Sequence, residues 1–209
     1  MFTLIKREIE DHIAYFIGAI ILSAVLTALL TSAIYYDDPG ERPVFVVLSI
    51  PVIVVLIIGF ASMGVSQMYT DKNRKISAFL SALPVTRGRI LTARIITGIL
   101  AILIVIVPLI ITGIFLRRLF APPIPIFSGL IFDISAPAFL MAFACYCLGL
   151  QTGWTSSRIT PTLGGLVLTC ILVPLILVKG FGTHIKVILI LFIVASLIRT
   201  WQKFKSTAL

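Results

Sequence analysis

Long apolar runs separated by short polar intervals dominate this chain. Lipid cannot hydrogen-bond to a polypeptide backbone, so runs that cross about 30 Å of hydrocarbon must be helical. The sequence therefore predicts an all-α polytopic membrane protein with six transmembrane helices. These occupy residues 13–36, 44–68, 91–116, 127–150, 162–178 and 185–199. The last two runs are near the lower length limit for crossing, and residues 173–184 could instead fold back as short re-entrant helices.

The first twelve residues have a different pattern. Phe2, Ile5 and Ile9 recur on one face of a helix, and charged side chains occupy the rest of its circumference. These charged residues are Lys6, Arg7, Glu8, Glu10 and Asp11. Residues 1–12 are therefore predicted to form an interfacial amphipathic helix before the first span, with its acidic side chains, including those near His12, in water.

The longest polar interval, residues 71–94, lies between the second and third predicted spans. It contains six basic side chains, and the positive-inside rule therefore assigns it to the cytoplasmic face. Ile76, Phe79, Leu80 and Leu83 have the spacing of one apolar helical face. Asp71 can cap this helix, and Pro84, which has no N–H, ends it. The interval predicts a short amphipathic helix between two spans.

This interval resembles the cytoplasmic coupling loop of ATP-binding-cassette (ABC) transporter permeases of the type-2, mainly exporter, class. Asp71 matches the acidic residue of that loop, Leu83-Pro84-Val85-Thr86-Arg87 matches its Leu-Pro-Val-Ser-Arg core, and Arg94 matches a late Lys. The match covers about a tenth of the chain and departs from the family pattern at Lys75 and Ile76. The residues that the resemblance assigns to ATPase coupling are Asp71, Arg74, Ile76, Phe79, Leu80, Leu83, Pro84 and Arg87.

The resemblance also implies partners. ATP and Mg²⁺ would bind to a separate ATPase subunit, which docks on the helix within residues 71–90. A second permease chain, identical or related, would complete the pathway through the bilayer. The apolar spans favour a hydrophobic or amphipathic substrate such as a peptide, a drug or a lipid-like molecule. The alternative for the interval itself is a basic loop that lies on anionic lipid.

Composition and charge agree with a membrane subunit without its own catalytic domain. The chain has 209 residues, of which 59% are hydrophobic and only 12% charged, against about 25% charged in soluble domains. It contains no G-x-x-x-x-G-K-[ST] loop for ATP and no H-E-x-x-H zinc motif, so we expect no enzymatic activity and no cofactor in this chain. Of its 17 basic residues, 12 fall on the predicted cytoplasmic side. This bias places both termini in the cytoplasm of a cell-membrane protein and removes nucleic acid as the reason for the net charge of +9.

Asp133 is the only acidic residue within a predicted span. An intramembrane carboxylate is costly and is a candidate functional group. It can pair with Arg117 or Arg118 or reach the interface, or it can relay protons in a proton-coupled secondary carrier, which is an alternative function for the chain. A second alternative is a membrane protein that binds a partner without transporting, such as an immunity protein.

Other residues favour packing over chemistry. Cys145 and Cys147 are two positions apart and point to opposite sides of a helix, so they cannot share a metal. Gly149-x-x-x-Gly153 is a small-residue pattern that permits close helix contact. Prolines within the spans, such as Pro108 and Pro137, would bend the helices that contain them.

Overall fold

The computed structural model describes residues 2–35, 55, 57–69, 87–120, 127–153 and 183–206. These residues form six helices and no strand, which confirms the all-helical prediction for the described part of the chain. The helices are α1 (Phe2–Asp11), α2 (Ile13–Tyr35), α3 (57–69), α4 (Arg87–Phe120), α5 (Phe127–Gly153) and α6 (Thr183–Ser206). Three predicted features lie outside the described residues: the start of the second span, residues 71–86 of the polar interval and the fifth span.

Three helical segments are long and apolar enough to cross a membrane. They are Gly88–Leu116 in α4, Ser135–Gly153 in α5 and Thr183–Lys203 in α6. A fourth is added if α1 and Ile13–Leu29 of α2 count as one bent span. The described residues thus form a helical membrane protein, and the number six remains a prediction.

All three helices extend beyond the apolar runs that predicted them, α5 by the three residues after residue 150. α4 begins at Arg87, within the predicted 71–90 loop, and α6 continues to Ser206 past the predicted end at residue 199. A charged side chain marks the edge of the hydrocarbon, but it does not interrupt backbone hydrogen bonding. Thr183–Lys203 has 21 residues and is about 31 Å long, which is enough to cross the hydrocarbon. The sixth span is therefore not as short as residues 185–199 predicted. α4 and α5 also continue through Pro108 and Pro137, respectively.

α4 is the central helix, and it packs against α1, α2, α5 and α6. Its buried positions follow a three- and four-residue spacing, as expected for one helical face. From Ile90 to Val105 they are Ile90, Leu91, Ala93, Arg94, Thr97, Gly98, Ala101, Ile102 and Val105, and Leu116 is buried further along. Arg94 is the only charged residue of this buried stripe.

Large apolar side chains also cover the outside of the bundle. They include Ile17 and Ile21 on α2, Ile111 and Phe115 on α4, and Leu191 on α6, all exposed. Extensive exposed apolar surface on a soluble monomer would cause aggregation, but on a bundle of this composition it is the surface that lipid covers.

α1 and α2 meet at a sharp bend of 74° at His12. The His12 N–H donates to the Glu8 carbonyl in the last turn of α1, and the Tyr15 N–H donates to the His12 carbonyl in the first turn of α2. Both helices are therefore hydrogen-bonded up to His12, the residue at which the helix axis turns. If α2 crosses the bilayer along its normal, α1 lies nearly in the membrane plane, as an interfacial helix would.

α3 and α5 cross in very close contact. A Cβ atom on Gly64 would lie 2.8 Å from the Leu150 nitrogen, and one on Gly153 would lie 2.7 Å from the Val65 carbonyl oxygen. A Cβ atom on Gly149 would overlap the Ala61 carbonyl oxygen. The Gly149-x-x-x-Gly153 pattern is thus a helix-contact surface in the structure, because only glycine lets the two backbones approach this closely.

Candidate functional site: a buried polar cluster at the start of α4

The guanidinium group of Arg94 is buried near the N-terminal end of α4. Its side chain is 1% exposed, and its Nε donates to the Glu8 Oε1 at 3.2 Å. Glu8 belongs to α1, and its side chain is only 17% exposed. The pair joins α1 to α4 through two residues that are 86 positions apart in the sequence. Breaking a buried pair of this kind by removing one partner is strongly destabilising, because it leaves an uncompensated charge.

The depth of Arg94 in a membrane follows from the sequence around it. Residues 95–116 carry no charge and would be about 33 Å long as a helix, close to the thickness of the hydrocarbon. Arg94 is therefore the first charge beyond the apolar part of α4. This location reduces the desolvation cost of the pair relative to the bilayer centre, while the surrounding protein still excludes water from it.

His12 lies on the other side of the same carboxylate. Its Nε2 is 3.8 Å from the Glu8 Oε2, and its side chain is buried. The His12 and Tyr15 rings are tilted at 59° with their centroids 6.1 Å apart. Glu8 thus faces Arg94 with one oxygen and His12 with the other.

A second group of contacts joins Arg94 to α3 and α5. Its Nη1 donates to the Met68 sulfur at 3.2 Å, and its main-chain carbonyl oxygen accepts a hydrogen bond of 2.8 Å from the Tyr146 hydroxyl. A thioether is a weak acceptor, so the strongest interaction described for the guanidinium is the one with Glu8. Arg94 therefore contacts α1, α3 and α5 from its position on α4.

The Tyr146 hydroxyl is also within hydrogen-bond distance of the Gln67 amide, whose oxygen faces it. Among the described residues, the Gln67 Nε2 is buried without a hydrogen-bond partner. The hydroxyl has one proton and cannot donate to both Gln67 and the Arg94 carbonyl. Turning the Gln67 amide over lets its nitrogen donate to the Tyr146 oxygen while the hydroxyl donates to Arg94. That orientation satisfies both donors.

Gly98 makes room for this arrangement. A Cβ atom on Gly98 would overlap the Tyr146 ring. The ring also stacks on Phe143, with centroids 6.2 Å apart and an interplanar angle of 20°. Tyr146 is therefore held by its ring and by its hydroxyl, and its position depends on the absence of a side chain at residue 98.

These contacts place several helix termini at one end of the bundle. They bring together α1, the 67–68 segment of α3, the first turns of α4 and the last turns of α5. The last turns of α6 are there too, because a Cβ atom on Gly88 would lie 3.1 Å from the Trp201 ring. The polar interval predicted to bind an ATPase leaves and rejoins the bundle at this end, between Met68 and Arg94.

Most of the residues predicted for ATPase coupling lie outside the described residues. They are Asp71, Arg74, Ile76, Phe79, Leu80, Leu83 and Pro84. Arg87 is the first residue of α4, and Asp133 lies in the second turn of α5, with both side chains outside the described part. The predicted roles of all these residues therefore remain predictions.

One expectation from the sequence is wrong. Glu8 was expected on the solvated face of the N-terminal helix, but it lies on the face that packs against α4, together with Leu4, Ile5 and Ile9. Glu10, 65% exposed, does lie on the solvated face and is 3.9 Å from Lys6. Residues 4, 5, 8, 9 and 12 share one face of a helix. Considering all five positions, and not only the apolar ones, would have placed Glu8 on the packed face of α1.

The cluster offers charge pairing and hydrogen bonding between the helices that meet in it. Among the described residues, no three His, Cys, Asp or Glu side chains come together as metal ligands. Cys145 and Cys147 are both buried in α5, and neither forms a disulfide bond within the described part of the chain. The cluster is thus suited to holding helices in position.

Comparisons with protein-family models, with curated proteins and with solved structures give no match to this chain.

Proposed function

We propose that this chain is the membrane-spanning permease subunit of an ABC exporter. A separate ATPase subunit would bind ATP and Mg²⁺ and dock on the helix predicted within residues 71–90. Closure of the ATPase would move this helix and shift the bundle between inward-open and outward-open states. The substrate would be hydrophobic or amphipathic, because the predicted spans offer almost no charge to a small ion.

The observation that carries the proposal is the sequence of the polar interval. It combines the Leu83-Pro84-Val85-Thr86-Arg87 core with an apolar helical face that includes Ile76, Phe79 and Leu80. A loop that only lies on lipid needs basic charge and some apolar surface, but it does not need this core after the helix.

The polar cluster supports the proposal because it links the segments on both sides of the interval. Met68 precedes the interval, Arg94 is its last residue, and the two side chains are in contact. Arg94 in turn contacts Glu8 and Tyr146 on two further helices. A displacement of the interval would therefore act on four helices together, as transmission between two global states requires.

The proposal includes the membrane arrangement predicted from the sequence. The chain would have six spans, and both termini would lie in the cytoplasm. Because six helices rarely enclose a transport pathway, a second permease chain, identical or related, would pair with this one in the cell membrane.

A pull-down of the ATPase by the permease tests the proposal, with Phe79→Asp as the main variant. Burying Phe79 in an ATPase groove should contribute about 1.5–3 kcal/mol, so its loss should weaken binding by about 10- to 150-fold. The matched control is Ala78→Asp, which adds the same charge on the opposite face of the predicted helix. We expect the ATPase to be lost with Phe79→Asp and retained with Ala78→Asp.

Replacing Lys72, Arg74 and Lys75 together with Gln separates the proposal from the lipid-bound loop. Each charge contributes about 1 kcal/mol to binding an anionic membrane, so the lipid interpretation predicts a large effect of this triple variant on how the loop associates with lipid. The proposed function predicts that ATPase binding depends more on Phe79 than on these charges. Co-purification of Phe79→Asp with the ATPase at the parent stoichiometry would refute the assignment.

A further inference from the structure

The N-terminal helix α1 attaches to the bundle with little apolar burial. None of its ten residues is fully buried, and Phe2 at its start is 84% exposed. Leu4, Ile5 and Ile9 are only partly covered. Partial burial of three aliphatic side chains is a weak and non-directional attraction, which would allow α1 to slide or rotate on the bundle.

The charged residues give the contact between α1 and α4 the directionality that the apolar contacts lack. Among the side chains that the structure describes, Glu8 is the only charged one on the covered face of α1, and Arg94 is the only charged one on the buried stripe of α4. The Glu8 carboxylate and the Arg94 guanidinium are thus paired across the interface between α1 and α4. A shift of α1 by one turn would place Leu4 or His12 against the guanidinium and leave both charges buried without each other. Buried polar pairs that specify one register in this way are known from helical assemblies.

We propose that the Glu8–Arg94 pair is a charge latch that locks α1 onto the start of α4, so that the two helices move as one unit. The His12 contact with Glu8 lies at the bend, where α1 passes into α2. A change in the tilt of α4 therefore carries α1 with it and bends the chain at His12. The latch is a property of this chain and does not require that the proposed ATPase partner exist.

Labelling of a cysteine at residue 9 tests the latch on the purified full-length protein in nanodiscs, without any ATPase. The background has Cys145, Cys147 and Cys170 replaced by Ala, and Ile9→Cys is the reporter on the covered face of α1. Phe2→Cys, on the same helix but exposed, is the control for general reactivity. The probe is a membrane-impermeant maleimide, and the measured quantity is the rate of labelling.

If the latch holds α1 in place, Glu8→Gln should raise the labelling rate at residue 9 by about tenfold or more, since the buried Arg94 guanidinium loses its charged partner. Glu10→Gln, which removes an exposed carboxylate two residues away, should leave the rate unchanged. The exchanged pair, Glu8→Arg with Arg94→Glu, should return the rate towards that of the parent.

Two results would overturn the latch. In the first, Glu8→Gln and Glu10→Gln give the same rate at residue 9. In the second, the exchanged pair is labelled as fast as Arg94→Glu alone, which would show that the two charges do not act on each other. If Glu8→Gln cannot be purified, the comparison of the exchanged pair with Arg94→Glu decides the question by yield and labelling together. A failed ATPase pull-down would leave these results untouched, so the latch and the proposed function fail separately.

Discussion

The Tyr146 hydroxyl lies 2.8 Å from the main-chain carbonyl oxygen of Arg94. The contact joins α5 to the backbone of α4 at the residue whose side chain reaches α1. Backbone and side chain of Arg94 are therefore fixed by different helices. Four predictions follow from this arrangement and from the membrane topology inferred from the sequence.

Tyr146→Phe should destabilise the protein by about 1 kcal/mol, the usual range for one hydrogen bond inside a helical membrane protein. The variant leaves the Gln67 amide buried without the hydroxyl. Adding Gln67→Leu should recover part of the loss, because removing both partners costs less than removing one. Thermal unfolding in detergent measures the effect. Tyr15→Phe is the control, since the Tyr15 hydroxyl makes no hydrogen bond among the described residues. Equal effects of Tyr146→Phe and Tyr15→Phe would contradict the contact.

Gly98→Ala should destabilise the protein and Gly113→Ala should not, although both residues lie in α4. The new methyl at residue 98 overlaps the Tyr146 ring, which its hydroxyl and Phe143 hold in place, so we expect a loss of about 1–3 kcal/mol. At residue 113 nothing lies within 4 Å of the new methyl. Because Ala has a higher helix propensity than Gly, Gly113→Ala should leave the stability of the protein unchanged or raise it by up to about 1 kcal/mol. The measurement is the midpoint of thermal unfolding, and a stabilising Gly98→Ala would contradict the packing.

The predicted topology can be checked by cysteine labelling in intact and permeabilised cells. Cysteines placed at Asn73 and Ser206 should react only when the reagent reaches the cytoplasm, because the lysines and arginines near them are retained there. Cysteines at Gly40 and Pro123 should react from outside. Labelling of Ser206→Cys in intact cells would contradict the six-span arrangement.

Asp133→Asn tests the proton-coupled alternative. If the carboxylate pairs with an arginine or reaches the interface, ATP-driven transport should stay within about threefold of the parent, far from the 10²–10⁴-fold loss typical of a removed acid–base group. Transport of a labelled hydrophobic substrate into inverted vesicles measures this. A folded and inserted Asp133→Asn that no longer transports would favour the proton-coupled carrier over the ABC permease.

The helical class can be predicted from the sequence alone, because long uncharged runs in a bilayer can satisfy their backbone groups within one segment only as helices. The sequence also indicated the amphipathic N-terminal helix and the polar interval at 71–94, because both are recognised from the local composition and spacing of residues. The Gly149-x-x-x-Gly153 pattern indicated a close helix contact, but it did not identify the second helix, since the backbone of any helix can pack against a small residue. The tertiary structure identified α3 as that partner.

The pairing of Glu8 with Arg94 could not be predicted from the sequence and depends on how α1 packs against α4. In the sequence, each residue has a plausible role near its own neighbours: Glu8 among the charges of an amphipathic helix, and Arg94 at the cytoplasmic end of a span. Local spacing gives the face of a helix that a residue occupies, but it does not say which helix will cover that face. That choice depends on the bend at His12, which carries α1 back across the start of α4. Once α1 lies there, burial makes the attraction between the two charges strong, because water no longer screens it.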